Sequence, residues 1–295
     1  MIRKVTQLPL IKIIEERFNS VSEIIEVSKT RELNESYKRR GDQPTITRMS
    51  RGFQGVKDAD ELYNLLRYGW SEPLPKVEQQ IKSIHKTRVH KQQAIHFETD
   101  VAGFGPIVAN ALMGLPKSMI TYNKKPKRNK ILNFLIDGTY AGMTEQDEIL
   151  KWGSKLIAEF QMLEKIGYRV RVEILNFFCD QQAQKNDTAM LLRYVLKDEG
   201  QPFDLKRFMF PLAHTAMFRG VGFDWEEKVP DGQARLGKGQ ALYHWSDKSV
   251  LKSQILKYIQ DTNFTYVWLN ESAIKGLENK VSVEDWNTMK VVLQK

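Results

Sequence analysis

Lys130-Ile131-Leu132-Asn133-Phe134-Leu135-Ile136-Asp137-Gly138-Thr139-Tyr140-Ala141-Gly142 carries the strongest structural signal in the chain. A mostly apolar run leads into an aspartate, then a glycine and a threonine, and a helical pattern follows up to Ile166. Strand, polar turn and helix in that order open an α/β fold. A continuous apolar run is what a strand covered on both faces requires. The aspartate at its end falls at the carboxyl edge of the sheet, where open α/β proteins place their sites.

Downstream the pattern continues. Residues 144–166 read as a helix, with Thr144 as cap, Glu145, Asp147 and Glu148 favouring its N-terminal dipole, and Ile149, Trp152, Leu156, Phe160 and Leu163 on one side. Residues 168–178 alternate as a strand does, and 189–197 form another, placed at an edge. Phe203–Phe218 reads as a helix that Pro211 should kink or divide. A loop over 228–240, a helix over 249–260, a strand over 265–269 and a closing helix over 283–293 complete the chain. Strands alternating with helices at this spacing predict a mostly parallel sheet flanked by helices.

Upstream the composition is different. Residues 8–28 fit an amphipathic helix, since Leu10, Ile13, Ile14, Phe18, Val21 and Ile25 recur at three- and four-residue steps. A long polar connection follows, with a short strand at Thr45–Arg48, then helices over 58–68 and 76–94. Asp58 caps the first of these and Gly69 ends it. Residues 97–119 read as a packed loop with one short helix around 106–113; Gly103-x-Gly105 lacks the third glycine of a dinucleotide fingerprint. Lys124-Lys125-Pro126-Lys127-Arg128-Asn129-Lys130 is the clearest boundary, extended and hinge-like. The expected division is a mainly helical basic region over 1–123, a basic hinge over 124–130, and an α/β domain over 131–295.

Net charge follows the same division. The chain of 295 residues carries +9, but residues 1–130 hold 24 basic against 14 acidic side chains and residues 131–295 hold 21 against 22. Two regions with different electrostatics suggest two surfaces. The one cysteine, Cys179, excludes an internal disulfide and fits a reducing compartment, most simply as a buried thiol at a strand end. No run approaches the roughly 20 apolar residues of a membrane span and no secretory signal is visible, so no membrane partner is expected.

Strand, Asp-Gly-Thr-Tyr-Ala, helix, Gly-Tyr-Arg-Val and strand resemble the first half of a von Willebrand factor A-like domain. More closely, the chain resembles a family of uncharacterised phage-encoded proteins with such a VWA-like, Rossmann-like core. Four places carry the likeness: Leu65-Leu66-Arg67-Tyr68-Gly69-Trp70; Asp100-Val101-Ala102-Gly103 with Gly114-Leu115-Pro116 and Met119; Leu163–Val170; and His214 with Met217-Phe218-Arg219 and Phe223. The resemblance implies a protein of the host cytoplasm during infection and establishes no activity. It also implies that Trp70 and Asp100 converge near the Asp137 edge as one interaction surface; each also has a plain structural reading, as helix-end anchor and cap.

The A-domain metal motif is Asp-x-Ser-x-Ser with a later Thr and Asp. Here Asp137 and Thr139 match, but Ala141 replaces the second hydroxyl, which weakens a site meant for Mg²⁺ and its roughly six oxygens. Asp137 capping the turn is the competing reading, and no cofactor is the resulting expectation. Nucleophile elbow, P-loop and zinc spacings are absent from the sequence, and a metal-dependent enzyme would rest on Asp137, Glu173 and Asp180 alone. The leading expectation is therefore a non-enzymatic interaction or assembly protein with a protein partner. The alternative is nucleic-acid binding, with Lys124, Lys125, Lys127, Arg128 and Lys130 following phosphates and Tyr122 stacking on a base.

Overall fold

The computed structural model describes residues 1–87, 97–122, 131–165, 168–179, 187–232, 249–259 and 264–268. The chain opens with two strands, β1 (Ile2–Gln7) and β2 (Ile11–Phe18), followed by helix α1 (Val21–Thr30). This corrects the helix expected over 8–28. The apolar residues divide by alternation: Ile11 and Ile13 enter one core cluster, Ile14 and Phe18 the other. Two buried acids sit among them. Glu16 takes two hydrogen bonds from Arg31 at 2.7 and 2.9 Å and one from the Trp225 indole at 2.8 Å, and Glu15 accepts from Arg17 and from the Tyr258 hydroxyl. The helix begins later, where the Ser20 hydroxyl accepts from the Glu23 amide.

Next come α2 (Glu35–Arg40) and a 3₁₀ turn at Thr45–Thr47 in place of the expected short strand. The turn is pinned by Thr45, whose amide and hydroxyl donate to buried Glu227 at 2.6 and 2.7 Å. Helix α3 (Ala59–Tyr68) is capped by Asp58, as the sequence predicts, and α4 (Leu74–Thr87) follows. The packed loop expected over 97–119 is instead a small antiparallel sheet. Strands β3 (Phe97–Asp100), β4 (Gly105–Pro106) and β5 (Met119–Tyr122) lie in the order β3-β5-β4, with the short helix α5 (Val108–Leu112) between the last two.

The apolar run forms β6 (Ile131–Asp137), and α6 (Gln146–Lys165), β7 (Arg169–Phe178) and β8 (Asp187–Lys197) succeed it. The helix expected over 203–218, kinked or divided at Pro211, is divided, but at His214 rather than at the proline. Helix α7 (Leu205–Ala213) contains Pro211 and ends at His214; a π-helical turn at Met217–Gly222 leads into α8 (Phe223–Lys228). Helix α9 (Val250–Ile259) and strand β9 (Thr265–Trp268) close the described fold. The expected basic hinge 124–130 and helix 283–293 lie outside the described residues.

One mixed sheet organises these elements in the order β1-β2-β8-β7-β6-β9. The pairs β2/β8, β7/β6 and β6/β9 are parallel, and β1/β2 and β8/β7 antiparallel. The first two strands, from the region expected to be helical and separate, thus extend the same sheet, and β8 is flanked by β2 and β7 rather than at an edge. One face, with Phe134, Ile136, Val172, Ile174 and Leu192, packs under α6, α7 and α8; the other, with Leu135, Leu175, Phe177 and Leu191, packs under α9. Cys179 is buried just past β7. This two-sided cover explains the unbroken apolar run of β6. None of the described helices is long and apolar enough to cross a membrane.

Candidate functional site

The turn that leaves β6 is held from three sides. Asp137 is fully buried and its Oδ1 accepts from the Thr139 amide at 2.9 Å. The Thr139 hydroxyl, also fully buried, accepts from the Phe177 amide at 2.8 Å, tying the turn to the end of β7. The Tyr140 hydroxyl donates to the Thr215 carbonyl at 2.6 Å, and burial pushes its pKa up.

Arg219, from the π-helical turn, is the largest brace. Its guanidinium donates to the carbonyls of Phe53 at 3.0 Å, Ala141 at 3.1 Å, Gly142 at 3.0 Å and Thr144 at 2.6 Å. It also stacks between the rings of Phe53 and Tyr140, with centroids 4.9 and 5.2 Å away. A fixed planar fork with five donors suits a cluster of carbonyls, which a lysine could not span in the same way. Beside it, Gln146 donates to the Ala213 carbonyl and accepts from the Thr215 amide at 2.9 Å. The segment before α3 is drawn in here too: Gly55 has φ +81°, and a Cβ on it would stand 2.7 Å from the Thr215 hydroxyl.

Trp70 reaches this cluster by packing edge-on against His214. The imidazole is buried, Nδ1 accepts from the Ala216 amide at 3.0 Å, and burial lowers its pKa to about 4. A small cavity of about 10 Å³ lies among Gly138, Tyr140, Asn176, Tyr194 and His214, room for no more than a water-sized molecule. A far wider cleft, about 900 Å³, lies elsewhere between the start of α2 and the turn at 230–232, open to solvent and lined by Arg31, Asn34, Arg39 and Asp231.

Trp70, Asp137, Thr139, His214 and Arg219 therefore meet at one end of the sheet. Asp100 does not join them through any described contact: it is exposed on β3, where its carboxylate accepts from the Val101 amide at 2.8 Å. Asp137 and Thr139 already use oxygen lone pairs on backbone amides, Ala141 offers none, and among the described residues no group of three or more His, Cys, Asp or Glu is gathered for a metal. Glu173 is engaged with Arg193 at 2.5 Å and Arg171 at 2.9 Å. Asp180 and the five basic residues of 124–130 lie outside the described residues. Arg219 and Tyr140 entered the sequence reading only within the likeness, with no role, and Gln146 not at all, because partners that are backbone carbonyls and amides leave no spacing signature.

The second place of interest is the small sheet. Between Asp100 and Met119 the chain exposes Val101, Phe104, Val108, Leu112, Met113 and Leu115 to solvent. Leu112 is 82% exposed and Val108, one helical turn before it, 64%. The strands pack closely beneath: a Cβ on Gly103 would lie 2.1 Å from the Ile120 carbonyl oxygen. Six large apolar side chains are thus exposed within 15 residues; apolar exposure gathered in one place, unlike singly scattered residues, is what marks interaction surfaces in general.

No curated protein and no solved structure matches the sequence. A family model does, over residues 3–266, nearly the whole chain and both regions just described. The chain belongs to the family defined by the domain of unknown function DUF7192.

Proposed function

We propose that this protein is a non-enzymatic interaction protein, a VWA-like α/β body that presents the 97–122 sheet to a partner. The exposed apolar patch of 101–115 carries the reading. The A-domain likeness is supported by β6, Asp137 at its end, α6 and β7 in succession, with β7 parallel to β6. At that edge, where an α/β protein would do chemistry, the side chains are buried and spent on holding the turn. On the phage-protein likeness we read its action as one in the host cytoplasm, where assembly or takeover of a host component would use such a surface.

Site-specific photo-crosslinking tests this reading. A photoreactive side chain at Leu112 should give adducts in the cell that the same group at Val250, an exposed apolar position on α9, does not. Equal labelling at both positions, or none at Leu112, overturns it.

Charge favours nucleic acid as a second reading. Residues 82–130 hold ten Lys and Arg against two acids, eight of the nine net charges of the chain. Five phosphate contacts from Lys124, Lys125, Lys127, Arg128 and Lys130 to a single strand would give a log–log salt slope of about −3.5, at about −0.7 each. Neutralising Lys124, Lys125 and Lys127 together should flatten it by about 2. An unchanged slope would assign binding to another surface.

A further inference from the structure

We propose that the small cavity past the end of β6 is a binding site for one ordered water molecule, which bridges Asn176 of β7 and Tyr194 of β8. The inference concerns the interior of the main sheet and is independent of the reading of the 97–122 sheet as an interaction surface.

Two polar atoms carry it. Asn176 and Tyr194 are each 1% exposed and both line the cavity. Neither Asn176 Oδ1 nor the Tyr194 hydroxyl has a hydrogen-bond partner among the described residues. Ile174 pairs with Tyr194 and Asn176 with Leu192, so the two side chains are diagonal neighbours on the sheet face that α6 and α7 cover. Buried polar atoms in folded proteins nearly always find a partner in the protein or in ordered water. Two that lack one at the wall of the same cavity point to a shared partner inside it.

The chemistry of the wall names that partner. Asn176 Oδ1 can only accept, whereas the Tyr194 hydroxyl donates and accepts. Burial, with Tyr140 close by, holds the Tyr194 phenol well above its ordinary pKa, so its proton is available for donation. The occupant must therefore donate to the amide oxygen and can accept from the phenol, which water does with one O–H and one lone pair. A third contact is at hand in Tyr140, which lines the same cavity and has given its own proton to the Thr215 carbonyl, leaving its oxygen able to accept. The cavity of about 10 Å³ admits one such molecule and nothing larger. An ion would find no counter-charge, since no carboxylate, lysine or arginine lines the space. An apolar gas would fit and leave both polar atoms unpaired. Gly138 completes the wall: a Cβ there would stand 3.0 Å from both Asn176 Nδ2 and Ile174 Cγ2, so the amide keeps its place only beside a residue without a side chain.

A crystal structure of the full chain at about 1.8 Å or better tests the proposal, and should show one peak within about 2.6–3.2 Å of both Asn176 Oδ1 and Tyr194 Oη. No peak in the cavity, or the amide and the phenol hydrogen-bonded directly to each other, overturns it. In solution, oxygen-17 relaxation dispersion of the solvent should count one long-lived water fewer in Asn176→Leu/Tyr194→Phe than in the parent. Equal counts in the two folded proteins also overturn it. Tyr194→Phe alone should raise the unfolding equilibrium constant roughly tenfold, and the double variant should be no less stable than Asn176→Leu alone, because it leaves neither atom of the pair unsatisfied. The parent crystal structure decides the matter even if the double variant does not fold.

Discussion

The indole of Trp70 meets the imidazole of His214 edge-on, with ring centroids 4.5 Å apart and planes at 77°. Phe210 lies on the same imidazole at 5.2 Å, so the ring is enclosed by aromatic carbon. With Nδ1 accepting from the Ala216 amide, the neutral ring carries its proton on Nε2, and protonating Nδ1 would break that bond.

The pH consequence has a definite sign. Burial lowers the folded-state pKa of His214 to about 4, below the ordinary value of 6.5. The unfolded chain therefore takes up a proton that the folded one refuses, and stability falls as pH drops from 6.5 towards 4. The slope contributed approaches about 1.4 kcal/mol per pH unit inside that window and vanishes above it. Urea unfolding at pH 7.5 and pH 5 should show a loss of about 2 kcal/mol in the parent that is missing from His214→Asn. Parallel losses in the two proteins would mean that another group titrates.

Arg219 should be among the least replaceable side chains. Arg219→Met removes the donors to four carbonyls, and each buried group left unpaired costs about 1–3 kcal/mol, so a loss of about 3 kcal/mol or more is expected. Arg219→Lys keeps the charge and three donors and should recover part of it. Chemical denaturation measures both; a Met variant within about 1 kcal/mol of the parent would show that water reaches these carbonyls.

The core prediction concerns β6. Phe134 is buried and packs on Phe160 of α6 at 4.9 Å, so Phe134→Ala should cost on the order of 3–5 kcal/mol. A melting temperature within a degree of the parent would be incompatible with its place between sheet and helix.

What could be read from the sequence was what is local. The β6 run, the period of β7 and the Asp58 cap each show in a few neighbouring residues, and the observed elements follow them. β2 was hidden because Ile13, Ile14 and Phe18 satisfy a helical period as well as a strand divided between two faces. Glu15 and Glu16 strengthened the error. They read as a solvated face because, Arg17 beside Glu15 apart, the groups that hydrogen-bond them, Arg31, Trp225 and Tyr258, are 15, 209 and 243 residues away. The same distance hid the hold of Glu227 on Thr45. At the candidate site, Asp137 and Trp70 were legible as an apolar run ending in acid and an aromatic after a helix stop. Arg219 was visible only as part of a likeness, since nothing in the spacing tells that a guanidinium will gather carbonyls from two distant loops.

Thr139 separates a structural turn from a residual metal site. Its buried hydroxyl accepts from the Phe177 amide, so Thr139→Val, nearly isosteric, removes that bond and should cost about 1–3 kcal/mol. Thr139→Ser keeps the acceptor and should cost less. Neither effect should depend on Mg²⁺, because a ligand stabilises only by binding the native state. Millimolar Mg²⁺ should therefore leave the melting temperatures of the parent, Thr139→Val and Asp137→Asn unchanged. A saturable rise in the parent that disappears in both variants would show that Asp137 and Thr139 can release their amide partners to coordinate an ion, and the turn would have to be redrawn as a metal site.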